Sequence, residues 1–141
     1  MENIKVILSD GAKKPMRATK GAAGYDIFSC KRVVIKKGEM GVVDTGVSFE
    51  IPERYFGNIR PRSGLAKNYS VFAMDGVIDS DFRGVVKILL INHGSEDFIV
   101  EPGMRVAQIL FTRVEEFLII EAEKLTKTER GEGGFGYTGN Y

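Results

Sequence analysis

The chain has 141 residues, of which 43% are hydrophobic and 28% charged, with 20 lysines and arginines against 19 aspartates and glutamates. This size and balance fit one globular domain, and a net charge of +1 excludes a general electrostatic attraction to nucleic acid or to a membrane surface. A single cysteine, Cys30, excludes an internal disulfide bond and fits a reducing compartment.

The amino-terminal residues show no long apolar stretch behind a basic start, so we expect no secretory signal. The longest apolar run, residues 85–91, is interrupted by Lys87 and is far shorter than the ~20 residues of a membrane-spanning helix. We therefore expect a soluble intracellular protein, in the cytoplasm or nucleus and not secreted, with no nucleic-acid and no membrane partner.

Short segments rich in Val, Ile and Phe predict β-strands along the whole chain. In chain order they are KVIL, RVVIKK, GVVDTGVSFEIP, YFGNIRP, GVVKILLIN, DFIVEPG, RVAQILFTRV and FLIIEAE. Turn residues recur about every ten positions, which is typical of an all-β sandwich or barrel. No segment has convincing helical periodicity, and the best candidate is a single turn at residues 63–68.

The pair Asp75-Gly76 predicts a tight type I′ turn, because both central residues of that turn need positive φ. The arms of this predicted hairpin are residues 71–74 and 77–79. The following segment, 82–92, is almost continuously apolar, which indicates a strand buried on both faces. Such a strand is expected at a subunit interface or at the centre of a sandwich.

The string PRSGL, residues 61–65, offers groups that suit phosphate oxygens. Arg62 carries a planar fork of donors, Ser63 a hydroxyl, and Gly64 permits close approach of the backbone. Taken alone, the same string is more simply explained as a turn after a strand with a surface arginine.

The string GVIDSDFRG, residues 76–84, places Asp79 and Asp81 two positions apart. On a strand both carboxylates would point to one face, which indicates a metal site or a general base. A polar strand end is the simpler alternative.

The segment ERGEGGFGYTGNY, residues 129–141, combines five glycines with Arg130 and Phe135. One interpretation is a disordered end. The other is a mobile lid, in which Arg130 clamps a phosphate and Phe135 stacks on a flat base.

Taken together and in order, five segments resemble the motifs of the trimeric deoxyuridine triphosphatase (dUTPase) family. They are GAAGYDI at 21–27, PRSGL at 61–65, GVIDSDFRG at 76–84, GMRVAQIL at 103–110 and RGEGGFGYTG at 130–139. The resemblance implies an all-β fold, a distorted jelly-roll-like β-barrel or sandwich that assembles as a homotrimer with shared active sites. It implies a β domain at 1–128 and a Gly-rich C-terminal lid at 129–141.

The resemblance further implies hydrolysis of dUTP to dUMP and diphosphate with Mg²⁺, which keeps uracil out of DNA and supplies dUMP for dTMP synthesis. Asp79 matches the catalytic base, and Asp26 matches the carboxylate that orients Mg²⁺ through water. The other matching positions would bind substrate: Arg62, Ser63, Gly64 and Gln108 at the phosphates, Phe82 under the deoxyribose, Ala73, Gly76, Val77, Ile78 and the backbone of Lys87 at the uracil, and Arg130, Phe135 and Gly136 from the closing tail of another subunit.

Three positions depart from the family pattern. Phe82 stands where the family commonly has Tyr, and its ring keeps the bulk that excludes a 2′-OH. Tyr137 stands where a small Ser that can bond a phosphate oxygen is common, which leaves the details of tail closure open. Ala73 replaces a polar side chain of some relatives, so uracil recognition must depend on the backbone.

Three alternatives remain open: a dCTP deaminase or bifunctional enzyme on a similar fold, a binding or signalling module that has lost catalysis, and a capsid-like or receptor-binding jelly roll. The lack of an insertion around the predicted hairpin argues against the first. The intact set of candidate site residues argues against the second. The third needs neither the glycine-rich tail nor a carboxylate beside a tight turn.

Overall fold

The computed structural model describes residues 2–141, which form eleven β-strands and one short α-helix. The strands are β1 (Lys5–Leu8), β2 (Tyr25–Phe28), β3 (Val33–Ile35), β4 (Met40–Asp44), β5 (Val47–Glu50), β6 (Tyr55–Arg60), β7 (Val71–Ala73), β8 (Gly76–Ile78), β9 (Lys87–Asn92), β10 (Phe98–Val100) and β11 (Arg105–Arg113). The helix α1 covers Ser63–Tyr69. Within the described range, this helix is too short to cross a membrane, and no other helix is present.

The strands form two larger and two smaller sheets, and every pairing is antiparallel. The four-stranded sheet has the order β2-β11-β6-β8, and the three-stranded sheet has the order β4-β9-β7. The pairs β1-β5 and β10-β3 complete the layers. The sheets do not close into a barrel, so the expected all-β, jelly-roll-like fold is confirmed in its sandwich form.

The core lies between the sheets, because successive side chains of a strand point to opposite faces. In β9, Ile88 and Leu90 are buried, whereas Leu89 and Ile91 on the other face are only partly covered. The face that carries Leu89 and Ile91 is therefore only partly buried within the single chain, and its burial at a subunit interface stays a prediction. The other fully buried side chains come from several strands, among them Val43, Val71, Val100, Val106 and Ile109.

Seven of the eight predicted strand segments contain strands, and the predicted turn at 63–68 is the two-turn helix α1. The eighth segment, FLIIEAE, is not a strand. Its side chains are almost fully exposed, as Leu118 at 89% and Ile119 at 93% show. A strand needs a partner to satisfy its backbone, and this segment has none in its own chain among the described residues.

The predicted hairpin at Asp75-Gly76 is wrong. β7 pairs with β9 and β8 pairs with β6, so the chain crosses from one sheet to the other at these residues. Neither residue takes a positive φ. The Asp75 carboxylate instead accepts a hydrogen bond from Arg60 Nη1 at 2.6 Å. Each of these two pairings covers three residue pairs, with β8 along β6 and β7 along β9.

Asp44, at the end of β4, is held by two lysines and a backbone amide. Its Oδ2 lies 2.7 Å from Lys87 Nζ and 3.2 Å from Lys31 Nζ, and its Oδ1 accepts a hydrogen bond from the Gly46 N–H at 3.0 Å. The hydrogen bond from Lys87 is the main influence that lowers the pKa of Asp44 to about 2.

We expect Asp44→Asn to lower the free energy of unfolding near neutral pH by roughly 1–2 kcal/mol, since hydrogen bonds to a charged group are lost. Because the folded pKa lies below the unfolded one, this stabilisation is complete above the unfolded pKa and is lost as pH falls toward about 2. Urea unfolding of both proteins should show the difference at about pH 7 and a smaller one at about pH 2.5. Asp10→Asn, at an exposed turn position, is the control. A difference that does not change with pH would contradict the prediction.

Candidate functional site

Strand pairing brings a group of charged and amide side chains to one end of the four-stranded sheet. Asp26 of β2 lies opposite Gln108 of β11, and β11 in turn pairs with β6. The Asp26 carboxylate contacts two guanidinium groups, with Oδ1 3.3 Å from Arg62 Nε and Oδ2 2.9 Å from Arg105 Nε. Gln108 Nε2 donates to the Pro61 carbonyl at 3.0 Å. Asp26, Arg62, Arg105 and Gln108 are called the arginine cluster below.

Gly24, just before β2, lies against the Gln108 side chain of this cluster. A Cβ on Gly24 would collide with Gln108 Oε1, so a larger residue would displace the amide. Ser63 and Gly64 lie exposed next to Arg62, and a Cβ on Gly64 would meet no atom within 4 Å. The two arginines and the amide of the cluster, with the exposed Ser63 hydroxyl and Gly64 backbone beside them, are groups that suit a phosphate chain once Arg62 exchanges the Asp26 carboxylate for it.

Asp79 follows β8 and opens a turn that the Phe82 N–H closes on the Asp79 carbonyl at 3.2 Å. Asp79 and Asp81 therefore lie in a turn and not on a strand. Both residues line an open cavity of about 560 Å³. Among residues 2–141, no three His, Cys, Asp or Glu side chains are grouped closely enough to hold a metal ion. No third residue of these types therefore joins Asp79 and Asp81 in the described part of the chain.

The predicted base-binding residues lie on β7, β8 and β9 and in this turn. β8 is an edge strand of its sheet, so one edge of Gly76, Val77 and Ile78 does not pair with a neighbouring strand in the described chain. Ala73 is buried on β7, and the ring of Phe82 is 43% exposed. The amine of Lys87 is engaged with Asp44 at 2.7 Å. This leaves the Lys87 backbone as the group available for a ligand.

One chain does not bring Asp79 and the arginine cluster together. Ile78 lies opposite Gly57, so Asp79 is level with the beginning of β6, whereas Arg62 follows the end of β6. At ~3.3 Å per strand residue, the two groups lie roughly 15–20 Å apart. The Asp79 turn and the arginine cluster are thus two separate groups within one protomer.

The third group of predicted residues lies on the exposed segment that follows β11. Arg130 Nε donates to the Gly133 carbonyl at 2.8 Å, and its guanidinium carbon lies 5.2 Å from the centroid of the Tyr137 ring. A Cβ on Gly133 would collide with that ring. Phe135 is fully exposed, and Gly136 has a φ of 77°. The tail therefore forms a local turn in which the Arg130 guanidinium lies over the Tyr137 ring.

Sequence reasoning did not identify Arg105 or the contact between Tyr137 and Arg130. Arg105 lies in the GMRVAQIL segment, but its partner Asp26 is 79 residues away, and only the pairing of β2 with β11 brings them together. No local pattern encodes that contact. The second contact had a signal, since an arginine and an aromatic ring in a short glycine-rich segment favour stacking.

Comparison with known proteins gives concordant matches. The dUTPase family profile matches residues 10–139. A deoxyuridine 5′-triphosphate nucleotidohydrolase of Clostridium acetobutylicum is 44% identical, over 99% of this chain and 98% of the relative. A mutant dUTPase of Staphylococcus bacteriophage 80alpha with dUpNHpp has a TM-score of 0.92 at 28% identity and covers 99% of both chains. A mutant dUTPase from phage phi11 of S. aureus, described with a structural Mg(II) ion, has a TM-score of 0.83 at 25% identity, over 89% of this chain and 100% of that one.

Proposed function

Because the chain belongs to the dUTPase family, hydrolases that act on the phosphoanhydride bond of dUTP, we propose that dUTP lies between the two groups of residues described above. The uracil lies against the free edge of β8, and the triphosphate lies on the arginine cluster. The observation that supports this placement is the division of the predicted residues into a base-binding end and a phosphate-binding end.

The arginine cluster supplies the phosphate contacts in this proposal. Arg62 gives a planar pair of donors, Ser63 a hydroxyl, Gly64 a close backbone and Gln108 an amide. Arg62 is 31% and Asp26 14% exposed at the side chain, so these charges lie in partly desolvated surroundings. Electrostatic contacts to a phosphate are stronger there than in open solvent.

We infer a homotrimer with shared sites, and the separation of Asp79 from Arg62 supports sites that are shared between subunits. A second copy would bring its arginine cluster to the Asp79 turn of the first, which one chain cannot do alone. The surfaces available for assembly include the outer face of the β4-β9-β7 sheet. Its cross-strand pairs are apolar, with Met40 opposite Ile91 and Val42 opposite Leu89, and Phe72 lies beside them. Met40 and Val42 are each 54% exposed.

The exposed segment after β11 supports the same assembly. Phe117, Leu118, Ile119 and Ile120 are between 73% and 93% exposed in the single chain. Burying them against another copy removes a large apolar area from water. Such an exchange would carry Arg130, Phe135 and Gly136 to the neighbour's site. The division into a β domain at 1–128 and a lid at 129–141 belongs to this proposal.

Asp79 is the general base in the proposed reaction. Its carboxylate accepts a proton from a water molecule in line with the α-phosphorus. The water oxygen bonds to that phosphorus, the bond from the phosphorus to the bridging oxygen breaks, and diphosphate leaves from dUMP. The guanidinium groups of Arg62 and Arg130 offset the negative charge on the transferring phosphate.

The residues present fit a Mg²⁺ ion that enters with the triphosphate. Mg²⁺ keeps several waters and uses one or two carboxylates together with substrate phosphates, rather than a cage of protein ligands. Asp26 is one such carboxylate, beside the proposed phosphate site. When bound, the ion neutralises charge on the triphosphate. Asp26 would orient it through water.

Uracil selectivity is the direct test of this function. A fixed backbone N–H suits the acceptor oxygen of uracil but not the amine of cytosine, and an unpaired buried donor costs ~1–3 kcal/mol. We expect kcat/KM for dCTP to fall at least about tenfold below that for dUTP. The thymine methyl would be refused sterically in dTTP, and Phe82 would refuse the 2′-OH of UTP.

The measurement is diphosphate release from dUTP, dCTP, dTTP and UTP, each with Mg²⁺ and with EDTA. Ammonia release from dCTP would favour a deaminase instead. Equal turnover of all four nucleotides would contradict base recognition by β8.

A further inference from the structure

The two oxygens of Asp26 are held differently by the two arginines of the cluster. Arg105 Nε donates a hydrogen bond to Oδ2 at 2.9 Å. Arg62 Nε lies 3.3 Å from Oδ1, a longer ion pair, and Arg62 Nη1 reaches the Arg105 carbonyl only at 3.5 Å. Since charge-assisted N–H···O bonds are strongest near 2.7–2.9 Å, Arg62 is the more weakly held of the two.

Arg105 is also anchored by packing. Its guanidinium carbon lies 5.3 Å from the centroid of the Phe28 ring, and Phe28 is 5% exposed. A planar guanidinium over an aromatic face gains both cation–π and stacking energy. Arg105 itself begins β11, whose backbone pairs with β2. The hydrogen bond and the ring together fix Arg105 in one place.

We propose that Arg105 is a positioning residue that fixes Asp26 so that Arg62 remains free to exchange Asp26 for the triphosphate. The inference rests on the proposed function, in which Arg62 binds phosphate. With Arg105 in place, the Asp26 carboxylate forms only a weak ion pair with Arg62, which keeps the Arg62 guanidinium near the phosphate site. A phosphate oxygen then replaces the carboxylate at a small free-energy cost.

Loss of Arg105 would change this competition. The Asp26 carboxylate, which is largely buried, would turn both oxygens to Arg62, the one guanidinium left beside it in the cluster. A bidentate arginine–carboxylate pair is stronger than a single long contact. Arg62 would therefore be harder to release, and nucleotide binding would weaken although Arg105 does not touch the nucleotide.

The test is a double-mutant cycle on the binding of dUpNHpp, a non-hydrolysable dUTP analogue. The dissociation constant of each variant is measured by titration calorimetry, once with EDTA and once with Mg²⁺. Arg105→Gln should weaken binding about 10- to 150-fold, the range of one charge-assisted hydrogen bond. In an Arg62→Gln background, Arg105→Gln should change the dissociation constant less than about twofold, because Arg105 acts on binding only through Arg62. Arg105→Lys keeps the charge without the planar fork, and it should lie between wild type and Arg105→Gln.

Lys13→Gln is the matched control, since Lys13 also lies over the Phe28 ring, at 5.5 Å, and its loss should leave binding unchanged. Equal losses in both backgrounds would mean that Arg105 binds phosphate directly, and no loss in the wild-type background would mean that it has no role; either result overturns the inference. If Arg62→Gln alone leaves binding unchanged, the proposed phosphate site itself is wrong. Should Arg105→Gln fail to fold, Arg105→Lys takes its place in the cycle.

Discussion

Asp79→Asn is expected to reduce kcat for dUTP by about 10²–10⁴-fold, the usual contribution of a positioned general base. Asparagine keeps the shape of the side chain but cannot take a proton from water. The side chain is exposed and follows the last residue of β8, so the core does not depend on it. Binding of dUpNHpp and the thermal unfolding midpoint should therefore remain close to those of the wild type.

Asp81→Asn is the matched control for this change. Asp81 lies in the same turn and lines the same open cavity, two residues further along the chain. We expect its loss to change kcat only slightly, since the proposed reaction uses one carboxylate as base. A wild-type kcat in Asp79→Asn would remove Asp79 from the reaction, and a comparable loss in Asp81→Asn would show that the position of the base is wrong.

Deleting residues 129–141 is expected to leave a folded, assembled protein whose kcat/KM for dUTP falls by two or more orders of magnitude, about 3 kcal/mol or more. The deleted segment contributes no buried residue, and the core residues all precede it. It does contain Arg130 and Phe135, which would offset phosphate charge and cover the base. A closed lid also excludes water from the reacting phosphate.

Light scattering and thermal unfolding would check that the shortened chain keeps its mass and stability, and steady-state kinetics would report the loss. A chain that lacks only residues 140 and 141 is the control, because it retains the Arg130–Tyr137 contact. Full activity without 129–141 would exclude the lid. Dissociation of the shortened protein would instead show that the segment holds subunits together.

The sequence predicts most of the strands because their signals are local. Alternation of buried and exposed residues, β-branched composition and turn residues are all present within each segment, as in β6 and β11. The chemistry of the side chains singled out Arg62, Asp79 and the Arg130–Phe135 segment, and the resemblance to a family completed the list of site residues. Its division into two ends of a sheet could not be predicted, because strand order depends on contacts between distant segments.

The two failures have the same physical origin. The type I′ turn at Asp75-Gly76 is favoured locally, but the pairing of β7 with β9 and of β8 with β6 determines the path of the chain. The segment FLIIEAE has strong β propensity but lacks a partner strand in its own chain within the described range. Propensity describes which residues suit a strand, whereas the available partner decides whether the strand forms.

The exposed run Phe117–Ile120 has a consequence for the newly made protein. Four adjacent apolar residues with high β propensity can nucleate aggregation before subunits meet. Glu115 and Glu116 precede the run, and Glu121 and Glu123 follow it. Like charges on both sides repel another copy of the same strand, and flanking charged residues of this kind act as gatekeepers. In the proposed assembly, these acidic flanks would therefore limit the self-association of newly made chains that have not yet met a partner subunit.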